Sequence, residues 1–156
     1  MNTQRYEAER LFYLKLNEKL FSYDVIRGNR FTDIVFVTAV KTGHSVKVYF
    51  VFLSNKVSFY SPDDEEIVCS LDSDGIVELY NRMMHEIEAT YFVDVLNENE
   101  SVLTLYGRIS SPESDKIIED LCEMAQNIKV NFDSVIVTDF LGKYQRQFKF
   151  IDGKFE

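Results

Sequence analysis

The chain has 156 residues, 46% hydrophobic, 14% aromatic and 28% charged, and its 17 Lys and Arg stand against 26 Asp and Glu for a formal charge of −9. Thirteen Phe and nine Tyr exclude a disordered chain, and six Gly with two Pro exclude collagen-like and proline-rich architectures. Direct binding of nucleic acid by phosphate neutralisation is disfavoured, because an acidic chain repels a polyanion.

The length suits a single α+β domain over residues 1–156. Residues 3–21 are predicted as an amphipathic helix. Ala8, Phe12, Leu16 and Leu20 recur every four positions, Leu11 and Leu14 widen the stripe, and Asn2 or Thr3 caps the start. Arg27-Gly28-Asn29-Arg30 reads as a turn. Between residues 31 and 71 the period shortens to two, with β-branched and aromatic runs at 31–40, 45–54, 57–60 and 67–71 separated by polar turns. Such spacing is that of an antiparallel meander. The run 46–53 is apolar on both faces past Lys47, which places it inside the sheet, since on an open edge it would recruit other chains.

Asp72-Ser73-Asp74-Gly75 opens a second helix reaching residue 88, with Ile76, Leu79, Tyr80, Met83 and Ile87 as its stripe and Glu78 and Arg82 paired outside. Strands are predicted at 90–96 and 101–109, joined by Asn97-Glu98-Asn99-Glu100. Ser111-Pro112 is read as the start of a third helix, with Ile117, Ile118, Leu121, Met124, Ala125 and Ile128 on its buried side. A final hairpin spans 132–150 and turns at Gly142-Lys143. The order is α-ββββ-α-ββ-α-ββ. Consecutive strands lack the crossover helix of parallel neighbours, so the expected class is α+β, a largely antiparallel sheet packed with three helices.

No motif assigns chemistry. Phosphate loops, dinucleotide fingerprints and the G-x-S-x-G elbow are absent from the sequence. Lys41-Thr42-Gly43 matches one element of serine β-lactam enzymes, but no Ser-x-x-Lys accompanies it. Aligning Gly75 to the glycine of a calcium loop puts Ser70 and Asn81 where Asp and Glu belong, so Asp72 and Asp74 are read as helix caps. His85 and Glu88 have helical ligand spacing without a second His or Cys nearby, and the expectation is no metal and no cofactor. Asp94 and Asp139 lie in strand patterns with nothing to couple them as an acid–base pair, so no catalytic residue is assigned and the balance leans against an enzyme. Cys69 and Cys122 sit in apolar patterns and read as buried thiols. With no signal peptide or membrane-length apolar run, the expected setting is cytoplasmic, in the producing or a host cell, with no membrane partner.

Charge layout is the informative feature. Residues 1–60 hold nine basic and five acidic side chains, 61–129 hold four basic and seventeen acidic, and 130–156 hold four of each. The central acid gathers at Asp63, Asp64, Glu65 and Glu66 and along Glu113, Asp115, Glu119, Asp120 and Glu123, with the last three expected to face outward from the third helix. These nine residues are the candidate partner-binding set. Fixed like charges repel one another, and a basic partner relieves that repulsion while gaining steering and register. The first expectation is therefore a non-enzymatic protein-binding module, an inhibitor or immunity-type protein that mimics nucleic acid and docks on a basic, nucleic-acid-binding site of another protein.

The element order and acidity of residues 1–129 resemble class I secretion chaperones. That resemblance implies a small acidic homodimer holding an extended partner along apolar grooves, and it rests on pattern alone.

Overall fold

A computed structural model describes residues 2–61 and 65–156, with side chains from residue 7 onward in the first helix. Contacts divide the chain into two compact units, Met1–Ile87 and Glu88–Glu156. In the first, α1 (Asn2–Lys15) precedes β1 (Phe21–Asn29), β2 (Thr32–Ala39), β3 (Ser45–Val51), β4 (Lys56–Tyr60) and β5 (Glu66–Ser70), and α2 (Ser73–Ala89) follows. The second begins with β6 (Thr90–Asn97) and β7 (Glu100–Arg108), continues through α3 (Lys116–Ala125), and ends with β8 (Ser134–Asp139), β9 (Gln145–Ile151) and β10 (Lys154–Phe155). The fold is α+β, and its strands form two antiparallel sheets ordered β1-β2-β3-β4-β5 and β10-β9-β8-β6-β7.

In the first unit β2 alternates strictly. Asp33, Val35, Val37 and Ala39 are buried, while Ile34, Phe36 and Thr38 are half-buried on the other face. The apolar run that fills β3 lies mid-sheet between β2 and β4, as its two apolar faces require, and its last residues, Phe52 and Leu53, pass into the following turn. Phe12 of α1 meets the ring of Phe50 edge-on, with centroids 5.7 Å apart, and that of Tyr80 at 6.3 Å, so α1 and α2 share the Phe50 face of the sheet. Burial of Phe12, Leu79 and Met83 there stabilises the unit by about 2 kcal/mol per side chain.

The first helix is shorter than its apolar pattern suggests. Leu14 is 72% exposed, and Asn17 ends the helix by accepting the Leu20 and Phe21 amides on its carbonyl and the Lys19 amide on its side chain. Phe21 then opens β1, opposite Ala39, in a stretch where helical and strand periods overlap in sequence. On the face away from Phe50, Ile26, Ile34, Tyr49, Ser58 and Val68 form one row across all five strands.

In the second unit α3 lays Ile117 and Leu121 on Val93, Val95, Val135, Val137 and Phe148, with Phe155 closing the cluster. The hairpin between β8 and β9 turns where expected. Gly142 takes a φ of 80°, and Asp139 accepts the Gly142 amide on its carbonyl (3.1 Å) and the Tyr144 amide on its carboxylate (2.7 Å). The third helix starts later than Ser111-Pro112. Residues 111–114 close a turn of their own, the Pro112 carbonyl accepts the Arg146 guanidinium at 3.0 Å, and the regular helix begins at Lys116.

Candidate functional site

The acid-rich segment is divided between the two units. Asp63 and Asp64 lie outside the described residues. Glu65 and Glu66 are exposed in the first unit, Glu66 opposite Tyr60 and the Glu65 amide bonded to the Ser61 hydroxyl at 3.2 Å. Glu113, Asp115, Glu119, Asp120 and Glu123 come together in the second unit, on α3 and its lead-in.

The 3.6-residue period explains that arrangement. Ile117 and Leu121 point to the sheet, which turns Glu119 and Glu123, four apart, to solvent. Glu113 and Asp115 are exposed on the preceding turn, and Lys116 is the one basic residue of the helix. Asp120 behaves differently from its neighbours. It is half-buried, its carboxylate accepts the Ser110 amide at 2.8 Å, and it ties the end of the β7 segment to α3. Hydrogen bonds from the Ser110 hydroxyl and amide, with Lys116 nearby, hold its carboxyl below the usual range.

Beside this tie lies a cleft of about 390 Å³ lined by residues that include Glu88, Tyr91, Arg108, Ser110, Lys116 and Asp120. Its charges are of both signs, and an Asp120 held ionised by structural hydrogen bonds is a poor proton donor near neutrality. Asp94 and Asp139 are likewise committed locally, Asp94 to the Ser101 and Thr104 hydroxyls and Asp139 to its hairpin. Among the described residues no three His, Cys, Asp or Glu are grouped to hold a metal ion, and no helix is long and apolar enough to cross a membrane. Cys69 and Cys122 are free thiols, the first buried and the second half-buried.

An ionic cluster outside the sequence expectations lies under α1. Arg27 of β1 forks onto both oxygens of Glu9, each at 3.2 Å, and bonds Asp33 of β2 as well. Tyr13 donates its hydroxyl to Glu9 at 3.4 Å and stacks on Tyr23 with ring centroids 4.3 Å apart. Glu9 and Asp33 are 2% and 0% exposed, so two buried carboxyls share one guanidinium, whose own side chain is half-exposed to solvent. Burial first, and then hydrogen bonding to Asp33, push the Glu9 carboxyl up to about 7 against the pull of Arg27. Burial also pushes the Tyr13 phenol up. A sequence signal for Glu9 does exist, since it precedes Phe12, Tyr13 and Leu16 by three, four and seven positions and so shares their inward face. Only Arg27 of the cluster meets solvent, and its guanidinium is taken up by the two buried carboxyls, so the cluster serves to tie α1 to β1 and β2.

No family model, curated protein or solved structure matches this chain.

Proposed function

We propose that the chain is a non-enzymatic protein-binding module, of inhibitor or immunity type, that sets an acidic surface against the basic, nucleic-acid-binding surface of a protein partner. The observation that carries the reading is the outer face of α3, where Glu119 and Glu123 stand exposed behind Glu113 and Asp115 with a single Lys116 among them. Charges fixed on a packed helix lose little entropy on docking, and their mutual repulsion is relieved by a cationic partner. Asp120 supports this surface by anchoring the lead-in at Ser110. A cytoplasmic setting, in the producing or a host cell, accords with the free thiols of Cys69 and Cys122.

The test is capture of the partner from the native host cell by the full chain, compared with a Glu113→Lys, Glu119→Lys, Glu123→Lys variant. Capture by the wild-type chain should fall steeply between about 50 and about 500 mM salt, and the variant should retain under about a tenth of it. Capture that survives both the variant and the salt overturns the reading for this helix. Glu65→Lys with Glu66→Lys examines the first unit's acid in the same assay.

A second reading, the chaperone-like holder of an extended partner, is favoured by the row across the first sheet. Ile26, Tyr60 and Val68 on that face are 51%, 52% and 43% exposed, beside half-buried Ile34, Phe36 and Tyr49. It predicts capture that is insensitive to salt and lost in Tyr60→Lys with Val68→Lys.

A further inference from the structure

The two sheets leave four edge strands, and they differ in how they are protected. β10 is two residues long, too short to template another chain, and β5 is entered through two adjacent exposed carboxylates, Glu65 and Glu66, which two copies would bring together. β1 carries Asp24 and Arg27 in its interior and has Tyr13 stacked on its Tyr23. β7 has none of these guards. It is a nine-residue edge, exposed along nearly its whole length, with charges only at its two ends, Glu100 and Arg108, and no proline. Val102, Leu103 and Tyr106 are 44%, 37% and 63% exposed on it. Edges of soluble proteins are blunted by inward charges, proline or cover, and an unguarded one is a site for strand addition.

We propose that β7 is the surface by which two copies of this chain associate, the two strands pairing antiparallel about Thr104. The sequence of the strand is self-complementary in that register. Val102 falls opposite Tyr106, Leu103 opposite Leu105 and Thr104 opposite itself, each a pair type that stabilises sheets. The acidic end of each strand comes to the basic end of the other. The bulge that leaves Val102 without a partner on β6, between Leu96 opposite Ser101 and Val95 opposite Leu103, bends the strand there, so flat pairing is confined to residues 103–105 with the Val102–Tyr106 pairs at its margins. A contact this small is weak, with a dissociation constant of about 10 µM or above. Two chains of charge −9 repel, so the association tightens as salt rises. That is opposite in sign to capture through the acidic helix, and the two ideas fail separately.

Sedimentation velocity of the full chain from about 5 to about 300 µM tests it. The wild-type chain should move from monomer toward dimer over that range. Thr104→Lys sets like charges opposite each other across the twofold, while within its own chain the new ammonium lies by Asp94. It should keep its circular dichroism and weaken association at least tenfold. Under mild oxidation Thr104→Cys should yield a cross-linked dimer well above the wild-type chain, which retains Cys69 and Cys122, because opposed residues of an antiparallel pair lie within disulfide reach. Tyr106→Cys should not. A wild-type chain that stays monomeric throughout, a Thr104→Lys chain that associates like wild type, or equal cross-linking at 104 and 106 overturns the proposal.

Discussion

Replacing Glu9 with Gln should change how stability depends on pH. Burial first and the Asp33 carboxyl second push Glu9 from 4.5 to about 7. The folded chain therefore keeps a proton that the unfolded chain releases between those values. Its contribution is complete at or below pH 4.5 and is lost as the pH rises through about 7. A displacement of that size corresponds to about 3 kcal/mol at most, and solvent reaching the pair through the half-exposed Arg27 screens it to about 1–2 kcal/mol. Gln cannot ionise, keeps a carbonyl acceptor for Arg27 and can offer its amide to Asp33, so position 9 becomes indifferent to pH in this window. His44, held below its ordinary value by burial, works in the opposite direction but is common to both proteins and cancels in the difference. Urea unfolding followed by circular dichroism at steps from about pH 4.5 to about pH 7.5 should find Glu9→Gln gaining on the wild-type chain by about 1–2 kcal/mol. The transition to read is the one that a Phe12→Ala change also shifts. A difference that stays flat to within about 0.5 kcal/mol would refute the account, because the proton would then not be held at Glu9.

Phe12→Ala should cost about 4 kcal/mol in the same measurement, since the ring is fully buried between Phe50 and Tyr80 and leaves a cavity that helix and sheet cannot close. Gly75→Ala should cost about 3 kcal/mol, because the added Cβ would fall 1.8 Å from the Ser70 carbonyl oxygen and α2 would have to shift; thermal unfolding reads it. Asp120→Ala should remove about 1 kcal/mol and, more specifically, speed hydrogen exchange at the Ser110 amide while leaving the Val93 and Val95 amides slow. The Asp120 contribution is present above the ordinary carboxylate range and lost on acidification, as its lowered carboxyl requires.

Elements whose side-chain period is unambiguous were legible in the chain itself. The central position of β3 followed from an apolar run too exposed for an edge, and the outward turn of Glu119 and Glu123 followed from the spacing of Ile117 and Leu121. β1 was hidden because Leu16, Leu20 and Phe21 extend a helical stripe into a strand, and only the hydrogen bonds of Asn17 end the helix. The start of α3 is not legible locally because Pro112, a good first-turn residue in isolation, gives its carbonyl to Arg146, 34 positions away. The same limit applies to the sites. Asp120 looks like its acidic neighbours until Ser110 is brought beside it, and Arg27 looks like part of a turn until Glu9 and Asp33 converge on it.

That convergence also answers a question of alignment. Apart from Phe21, β1 is an edge strand with little buried side chain of its own, so apolar packing discriminates weakly among the ways it might pair with β2. Sliding the strand by one residue would turn Arg27 to the opposite face of the sheet, and sliding it by two would carry the guanidinium about 7 Å along. Either slip would leave two buried carboxyls facing each other with no cation between them. The ionic cluster therefore favours the observed pairing over a slip of one or two residues, because either slip removes the cation from two buried carboxyls.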